Sequence, residues 1–362
     1  MTALDVPALF NQLVSQNWPI YQLYGLTLQS DFCFANRLSQ PEHSETTGNS
    51  SQPNPELRFT CRTEAPINVD WHQQKPIYTS QCRTETGDNS FFLYEIPSDR
   101  HSTSHTCTVV HFTDTADYYL WEDFIYCHLF NPAYDYWVEI GFLGSIMSIW
   151  LETHKRLALH ASAVVINRQA VGFLGSKQGG KTSLAAMLTQ SGHQLLTDDI
   201  LPIQQQGKSL LGCPGYPQMR MWPELAQHFT GSDRSWPKVH PNLTKLRIPV
   251  TSETIGEFCD CPRPLTCLYL PERRDPNLYG KEISITPIPA PKAMVELLYY
   301  AFAAPVLPAF PKIQKPRFYL LADIIKQVQV RHLTYPNGYQ YLPQVKAAIV
   351  EDIEAISKES SH

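Results

Sequence analysis

One stretch of the sequence constrains the fold more than any other. Residues 158–166, Ala-Leu-His-Ala-Ser-Ala-Val-Val-Ile, read as a strand, 167–169 as a turn, and 170–174, Ala-Val-Gly-Phe-Leu, as a second strand. A glycine-rich loop follows: Gly175, Ser176, Lys177, Gln178, Gly179, Gly180, Lys181 and Thr182. Ser183 then opens the helix-prone run Ser-Leu-Ala-Ala-Met-Leu-Thr-Gln, which Gly192 stops, and residues 194–201 read as another strand. Strand, glycine loop, helix and strand in this order describe an α/β unit.

The loop matches G-x-x-x-x-G-K-[ST] at every fixed position, between the strand and the helix that such a loop requires. Glycines at 175, 179 and 180 let the backbone wrap an anion with its N–H groups turned inward. The helix that follows presents the positive end of its dipole to the same anion. Lys181 can reach the β- and γ-phosphates of a nucleotide, and the Thr182 hydroxyl can ligate Mg²⁺. Lys177 either adds a phosphate contact or faces water.

Spacing adds two aspartates. A helix over residues 181–191 runs about 16 Å from the loop, at about 1.5 Å per residue. A strand over residues 194–199 returns about 20 Å, at about 3.3 Å per residue. Asp198 and Asp199 therefore come back beside the loop, and as strand neighbours they face opposite ways, so that one can face metal and the other substrate. A hairpin centred on Arg168 pairs residue i with residue 336 − i, setting His160 across from Ser176 inside the loop. His193, just after Gly192, is expected to cap the helix C-terminus, where a cation is favoured.

Composition narrows the class. The chain has 362 residues, 43% of them hydrophobic and only 17% charged, so it can bury a substantial core and is not a disordered polyampholyte. Lys and Arg number 29 against 34 Asp and Glu, a net charge of −5 without a dense basic run, which argues against nucleic-acid and membrane-surface partners. The amino terminus lacks the basic head, apolar centre and cleavage site of a signal peptide. The most apolar stretch, residues 141–151, spans about 16 Å as a helix, about half a bilayer core. A soluble, cytoplasmic protein is expected, its nine scattered cysteines reduced. Cys259, Cys261 and Cys267 lack the paired CxxC spacing of a zinc site.

Residues 1–150 are expected to form a β-rich, mainly antiparallel N-terminal region, with strands over 20–34, 57–62, 76–84, 90–96, 106–112 and 117–121. Residues 39–56 are polar and aperiodic and are expected to form a mobile loop. A helical stretch over 135–155 bridges to the second domain, 151–362, in which 294–302 and 345–356 have helical periodicity and 283–288 and 329–335 read as strands.

The unit from Leu159-His160-Ala161-Ser162 through the glycine loop to Thr197-Asp198-Asp199-Ile200 resembles the HPr kinase/phosphorylase family, and in particular its HPr-kinase-like serine kinase branch. The resemblance is specific over residues 156–203, with weaker echoes at Tyr24-Gly25-Leu26, at Ser30-Asp31 and at residues 214–222. It implies a P-loop kinase domain of the HPr kinase/phosphoenolpyruvate carboxykinase-like type, preceded by a β-rich domain. ATP and Mg²⁺ would be the cofactors, the partner a peptide or small protein bearing a serine, and self-association a further expectation. It also implies roles: Lys181 and Thr182 as phosphate and Mg²⁺ ligands, Asp199 as the metal-side carboxylate, Asp198 as the base, and His160 as the histidine near that carboxylate. Two departures weigh against phosphorylase activity and against HPr as substrate. Ser183 stands where the bifunctional enzymes carry an acid, and Met219-Arg220-Met221 is at best a remnant of their Glu-Ile-Arg-Gly-Leu-Gly signature.

Arg220 reads either as a contact to phosphate or to a substrate carboxylate, or as a surface strand residue. Lys245 and Arg247, two apart on one face if extended, are candidate clamps for the acceptor or part of a solvated edge. The expected activity is ATP- and Mg²⁺-dependent phosphorylation of a hydroxyl, with a small-molecule hydroxyl kinase and a non-catalytic nucleotide-binding maturation or scaffold protein as the alternatives.

Overall fold

The computed structural model describes residues 17–34, 38, 54–97, 106–176, 178–231 and 234–359. Lys177 and most of the expected mobile loop, 39–53, lie outside the described residues. The chain is a mixed α/β protein that divides into two compact units, Met1–Trp150 and Leu151–His362.

Among its described residues the first unit carries eight strands: β1 (Ile20–Leu23), β2 (Leu26–Ser30), β3 (Leu57–Arg62), β4 (Tyr78–Thr79), β5 (Phe91–Pro97), β6 (Thr106–Phe112), β7 (Ala116–Leu120) and β8 (Phe124–Leu129). They form one sheet in the order β1-β2-β3-β8-β7-β6-β5-β4. It is antiparallel except where β3 runs parallel to β2 and β8. The single strand expected over 20–34 is a hairpin, because Tyr24 and Gly25 both adopt positive φ (56° and 72°) and reverse the chain in two residues. The expected 135–155 helix is interrupted. A π-helical turn, Phe142–Ile146, separates Asp135–Gly141 from Met147–Thr153, with Gly144 at non-helical φ −108°, ψ −105°.

The second unit adds β9 (Leu157–Ile166), β10 (Gln169–Leu174), β11 (Gln194–Thr197), β12 (Ile200–Gln206), β13 (Ser209–Gly212), β14 (Gln218–Met221), β15 (Leu246–Pro249), β16 (Arg263–Arg274), β17 (Ser284–Pro287) and β18 (Gln329–Pro336). Its main sheet runs β10-β9-β12-β13-β16-β18-β17, and β16 also pairs with β10, so the pairings close a ring. β10, β16 and β18 are parallel to one another.

The hairpin register differs from the expected one. Gln169 pairs with Ile166 and Leu174 with Ala161, a sum of 335. The turn is therefore two residues long, with Asn167 and Arg168 both at positive φ (50° and 65°), the conformation that suits the twist of the flanking strands. The pairing ends at Leu174, so His160 does not lie across from Ser176; its partner is Ile200 of β12. The expected 194–201 strand is likewise two strands, both antiparallel to β9, with Asp198 and Asp199 in a break between them.

The helix after the glycine loop, Lys181–Gln190, buries Leu184, Ala185, Ala186, Met187, Leu188 and Thr189. Residues buried on nearly every side make it an internal helix rather than an amphipathic surface one. Its apolar side chains share a core with Val164, Val171 and Phe173 of the sheet, and with Leu225, Val345, Ile349 and Ile353 of helices Pro223–Thr230 and Leu342–Glu359. Burial of each fully enclosed leucine contributes about 1.5–3 kcal/mol, which fixes the helix start against the strand ends.

Candidate functional site

The helix Lys181–Gln190 begins at Gly180, whose φ of 94° lies in the region that side-chain-bearing residues avoid. A Cβ there would also stand 2.5 Å from the Tyr335 hydroxyl, so close packing as well as backbone conformation requires glycine. Gly179 N–H donates to the Ser176 carbonyl at 3.0 Å, closing the loop on itself. Lys181 is buried, and its Nζ donates to the carbonyls of Gly175 (2.6 Å) and Ser176 (3.2 Å). Burial lowers its pKa, while the charges of Asp198 and Asp199 act the other way.

The break between β11 and β12 places two carboxylates at the loop in different surroundings. Asp198 is buried; one oxygen accepts from the hydroxyls of Ser162 (2.5 Å) and Thr182 (3.0 Å), the other from the backbone N–H of Arg220 (2.9 Å). Asp199 adopts φ 100°, a strained conformation for a non-glycine residue. One of its oxygens lies 3.3 Å from His160 Nε2 and the other 2.9 Å from the Arg220 guanidinium. Burial opposes its ionisation, but the His160 hydrogen bond and the Arg220 charge prevail and hold the carboxyl down to about 2. The imidazole of His160 rests beside Phe302, at 5.3 Å between ring centroids, and its backbone N–H is fixed by the Tyr300 carbonyl at 2.7 Å.

These groups line a cleft of about 690 Å³, which His160, Gln178 through Ser183, Asp198, Asp199, Arg220 and Lys245 all border. The lining does not include Gly175, Ser176 or Arg247; the first two meet Lys181 through their carbonyls, and Arg247 pairs with Arg220 across β14–β15 and donates to the Val239 carbonyl. Lys245 stands over the Trp222 ring, 5.7 Å from its centroid. The division of the two aspartates differs from the sequence expectation. The Thr182 hydroxyl bonds to Asp198, not Asp199, and His160 meets Asp199, not Asp198, because the backbone turn at Asp199 swings its side chain toward β9.

Eight of the lining residues received no role from the sequence. Ser162 was accessible to sequence reasoning, since it lies two residues from His160 on a strand and so on the same face. Trp222 ends the weak family echo at 214–222 without a role of its own, while Arg273 and Tyr339 carry no local motif and reach the cleft by tertiary packing alone. At the far end of the helix, His193 caps through its backbone N–H, which donates to the Leu188 carbonyl, while burial and then the nearby Lys346 charge lower the pKa of its imidazole and so disfavour the expected cationic cap. Cys259 and Cys261 lie 3.9 Å apart with Arg263 Nε 3.3 Å from the Cys259 sulfur.

A magnesium ion fits the donors present. Thr182 and Asp198 offer the hard oxygen ligands it prefers, and Mg²⁺ is typically held by one or two protein groups, with phosphate and water oxygens completing the shell. No helix among the described residues is long and apolar enough to cross a membrane.

No family model matches the sequence, and no curated protein does. Among solved structures, the Hpr(Ser) kinase/phosphatase from Coxiella burnetii is similar over 56% of this chain and 94% of that chain, with 15% identity and a TM-score of 0.29. A likeness of that size carries no argument about the site or its reaction, which rest on the residues themselves.

Proposed function

We propose that the second unit is a kinase that uses ATP and Mg²⁺ to phosphorylate a hydroxyl, a serine on a peptide or small protein. The observation that carries this reading is the convergence, in one cleft, of the glycine loop with Lys181 and Thr182 and of the His160–Asp199–Arg220 cluster. Phosphoryl transfer asks a protein for positioning and charge neutralisation more than for covalent chemistry, and this cleft supplies both.

In this reading the loop amides and Lys181 hold the phosphates, exchanging the Lys181 bonds to Gly175 and Ser176 for phosphate oxygens. Thr182 and Asp198 would hold the magnesium, which would supply neutralisation of charge on the phosphates. Asp199 receives the proton of the acceptor hydroxyl as its oxygen bonds to the γ-phosphorus and the bond to the departing ADP oxygen breaks. A carboxylate held as low as about 2 is ionised throughout the physiological range but is a weak base, so Asp199 orients the acceptor hydroxyl and takes its proton late, once the forming bond to phosphorus has made that hydroxyl acidic. His160 and Arg220 keep it oriented, and Arg220 and Lys245 add positive charge where the transferring group passes. Metal and base roles thus fall to Asp198 and Asp199, the reverse of what the family resemblance implied.

The test is incubation of the full chain with Mg²⁺, γ-labelled ATP and a panel of serine-containing peptides and small proteins, with calorimetry of ATP binding alongside. Phosphoserine in the acceptor, lost in Lys181→Ala, supports the reading. Label found only on metabolites transfers the activity to small hydroxyl compounds. ATP binding with transfer to no hydroxyl leaves a nucleotide-binding module, and no ATP binding removes the proposal.

A further inference from the structure

The glycine loop borders a second cleft as well as the one just described. Gln178, Gly179 and Arg273 line both. The second, also about 690 Å³, is completed by residues that include Asp275, Asn277 and Asn337. These follow the C-terminal ends of β16 and β18, the strands parallel to β10, from which the loop itself springs. That edge of a parallel sheet is where α/β folds bind ligands.

We propose that the second cleft receives the ribose and base of the nucleotide, leaving the first for the γ-phosphate and the acceptor. The inference rests on the kinase reading above and adds to it the location and chemistry of nucleoside recognition. A triphosphate wrapped by the loop has two ends, and transfer requires its γ end to face Asp199 and His160. The opposite end then leaves across Gln178 and Gly179, the loop residues shared by both clefts. Arg273 stands at that crossing, its guanidinium donating to the Gln178 carbonyl, and so places a positive charge beside the inner phosphates.

The chemistry of the second cleft suits a nucleoside. The side-chain amides of Asn277 and Asn337 have no hydrogen-bond partner among the described residues. A carboxamide offers a donor and an acceptor side by side, the complement of the N6/N7 edge of adenine. Asp275 uses one oxygen to accept the Asn277 backbone N–H at 2.8 Å, which fixes the carboxylate and leaves its other oxygen for a ribose hydroxyl. Glu272, also on this wall, is occupied by Arg274 (3.1 and 3.2 Å) and His332 (3.1 Å), so its charge is already balanced beside the incoming phosphates. In the first cleft, by contrast, a nucleoside would occupy the space beside Trp222 and Lys245 that the acceptor needs.

Calorimetry with ATP and with inorganic tripolyphosphate separates the two halves of the ligand. The wild-type chain is expected to bind ATP more tightly than tripolyphosphate. Asn277→Ala and Asn337→Ala should each weaken ATP about three- to ten-fold, the loss of one hydrogen bond, and leave tripolyphosphate unchanged. Both side chains are exposed, so the variants should fold. Unchanged ATP affinity in the double variant, or a selective loss of ATP in Trp222→Ala instead, overturns the proposal, as does equal wild-type affinity for the two ligands. A wild-type chain that binds neither overturns the kinase reading itself, a different result from any of these.

Discussion

Each unit holds an aspartate clasped by histidine, and the two are built to different ends. In the first unit Asp117 sits in the middle of the sheet, in register with His111 on β6 and His128 on β8. It accepts from His111 at 2.6 Å and from the Trp71 indole at 3.1 Å, and its side chain is only 4% exposed. Burial pushes its pKa up, but the His111 and His128 hydrogen bonds outweigh that and lower it. Asp117 lies within β7 and does not have a positive φ. Asp199 makes similar partnerships with His160 and Arg220, yet it sits in a strand break, at φ 100°, with 25% of its side chain open to a cleft. Regular backbone and enclosure mark the first cluster as a fastening; strain and access set the second apart as the candidate site. A depressed carboxyl pKa is common to both and does not distinguish them.

That contrast can be broken by substitution. Asp199→Asn should lower kcat for phosphate transfer by about 10³-fold, within the range of a lost acid–base group, with ATP affinity largely kept. Asp117→Asn should leave kcat near wild type but cost about 3 kcal/mol of stability, the scale of breaking a buried charged pair, measured by denaturant titration. If Asp117→Asn abolished transfer without destabilising, or Asp199→Asn only destabilised, the assignment of the two clusters would be reversed.

A smaller effect tests the strained backbone of the site. Gly180→Ala should cost about 1–3 kcal/mol through the positive φ alone, and more through contact with the Tyr335 hydroxyl. Tyr335→Phe in the same chain should restore only the contact part, and tripolyphosphate affinity should follow the same order. Smallest is the pH effect. A carboxyl whose folded pKa lies below its unfolded value binds its proton more tightly in the unfolded chain, so its stabilisation is complete above about pH 4 and is lost as the pH falls. For Asp199 that loss runs down toward pH 2. The stability difference between wild type and Asp199→Asn should therefore be constant near neutrality and shrink through that window in acid denaturation.

Much of the local structure in each unit was legible where local rules act without competition. The strands at 57–62, 106–112 and 157–166, and the helix after the loop, follow from period, β-branching and glycine punctuation. Two large elements were not legible. β16 carries Pro264 and Pro271 and ends in Glu-Arg-Arg, features that speak against a central strand, yet it pairs with β10, β13 and β18. Pro271 is tolerated because it lies beyond Tyr269, the last β16 residue paired with β10. The helix Pro311–Gln327 was hidden by Pro316 in its first turns and lies against the buried Glu152–Arg317 ion pair, which no local pattern announces. The roles of the two aspartates were beyond sequence reasoning for a related reason. Strand alternation predicts opposite faces only while the strand continues, and here it stops at Asp198.

By itself the sequence determined what is encoded within a few residues: a glycine loop between strand and helix, a lysine and threonine at its exit, and two acids spaced to return beside it. Backbone conformation, helix rise and strand rise depend on neighbours in the chain, so these could be read directly. Tertiary structure decided what depends on partners far apart in sequence: that His160 reaches Asp199 through β12, that Thr182 turns to Asp198, and that Arg273 comes from β16 to stand between two clefts. Those pairings are chosen by burial and by the closing of the sheet, which act on the whole chain at once.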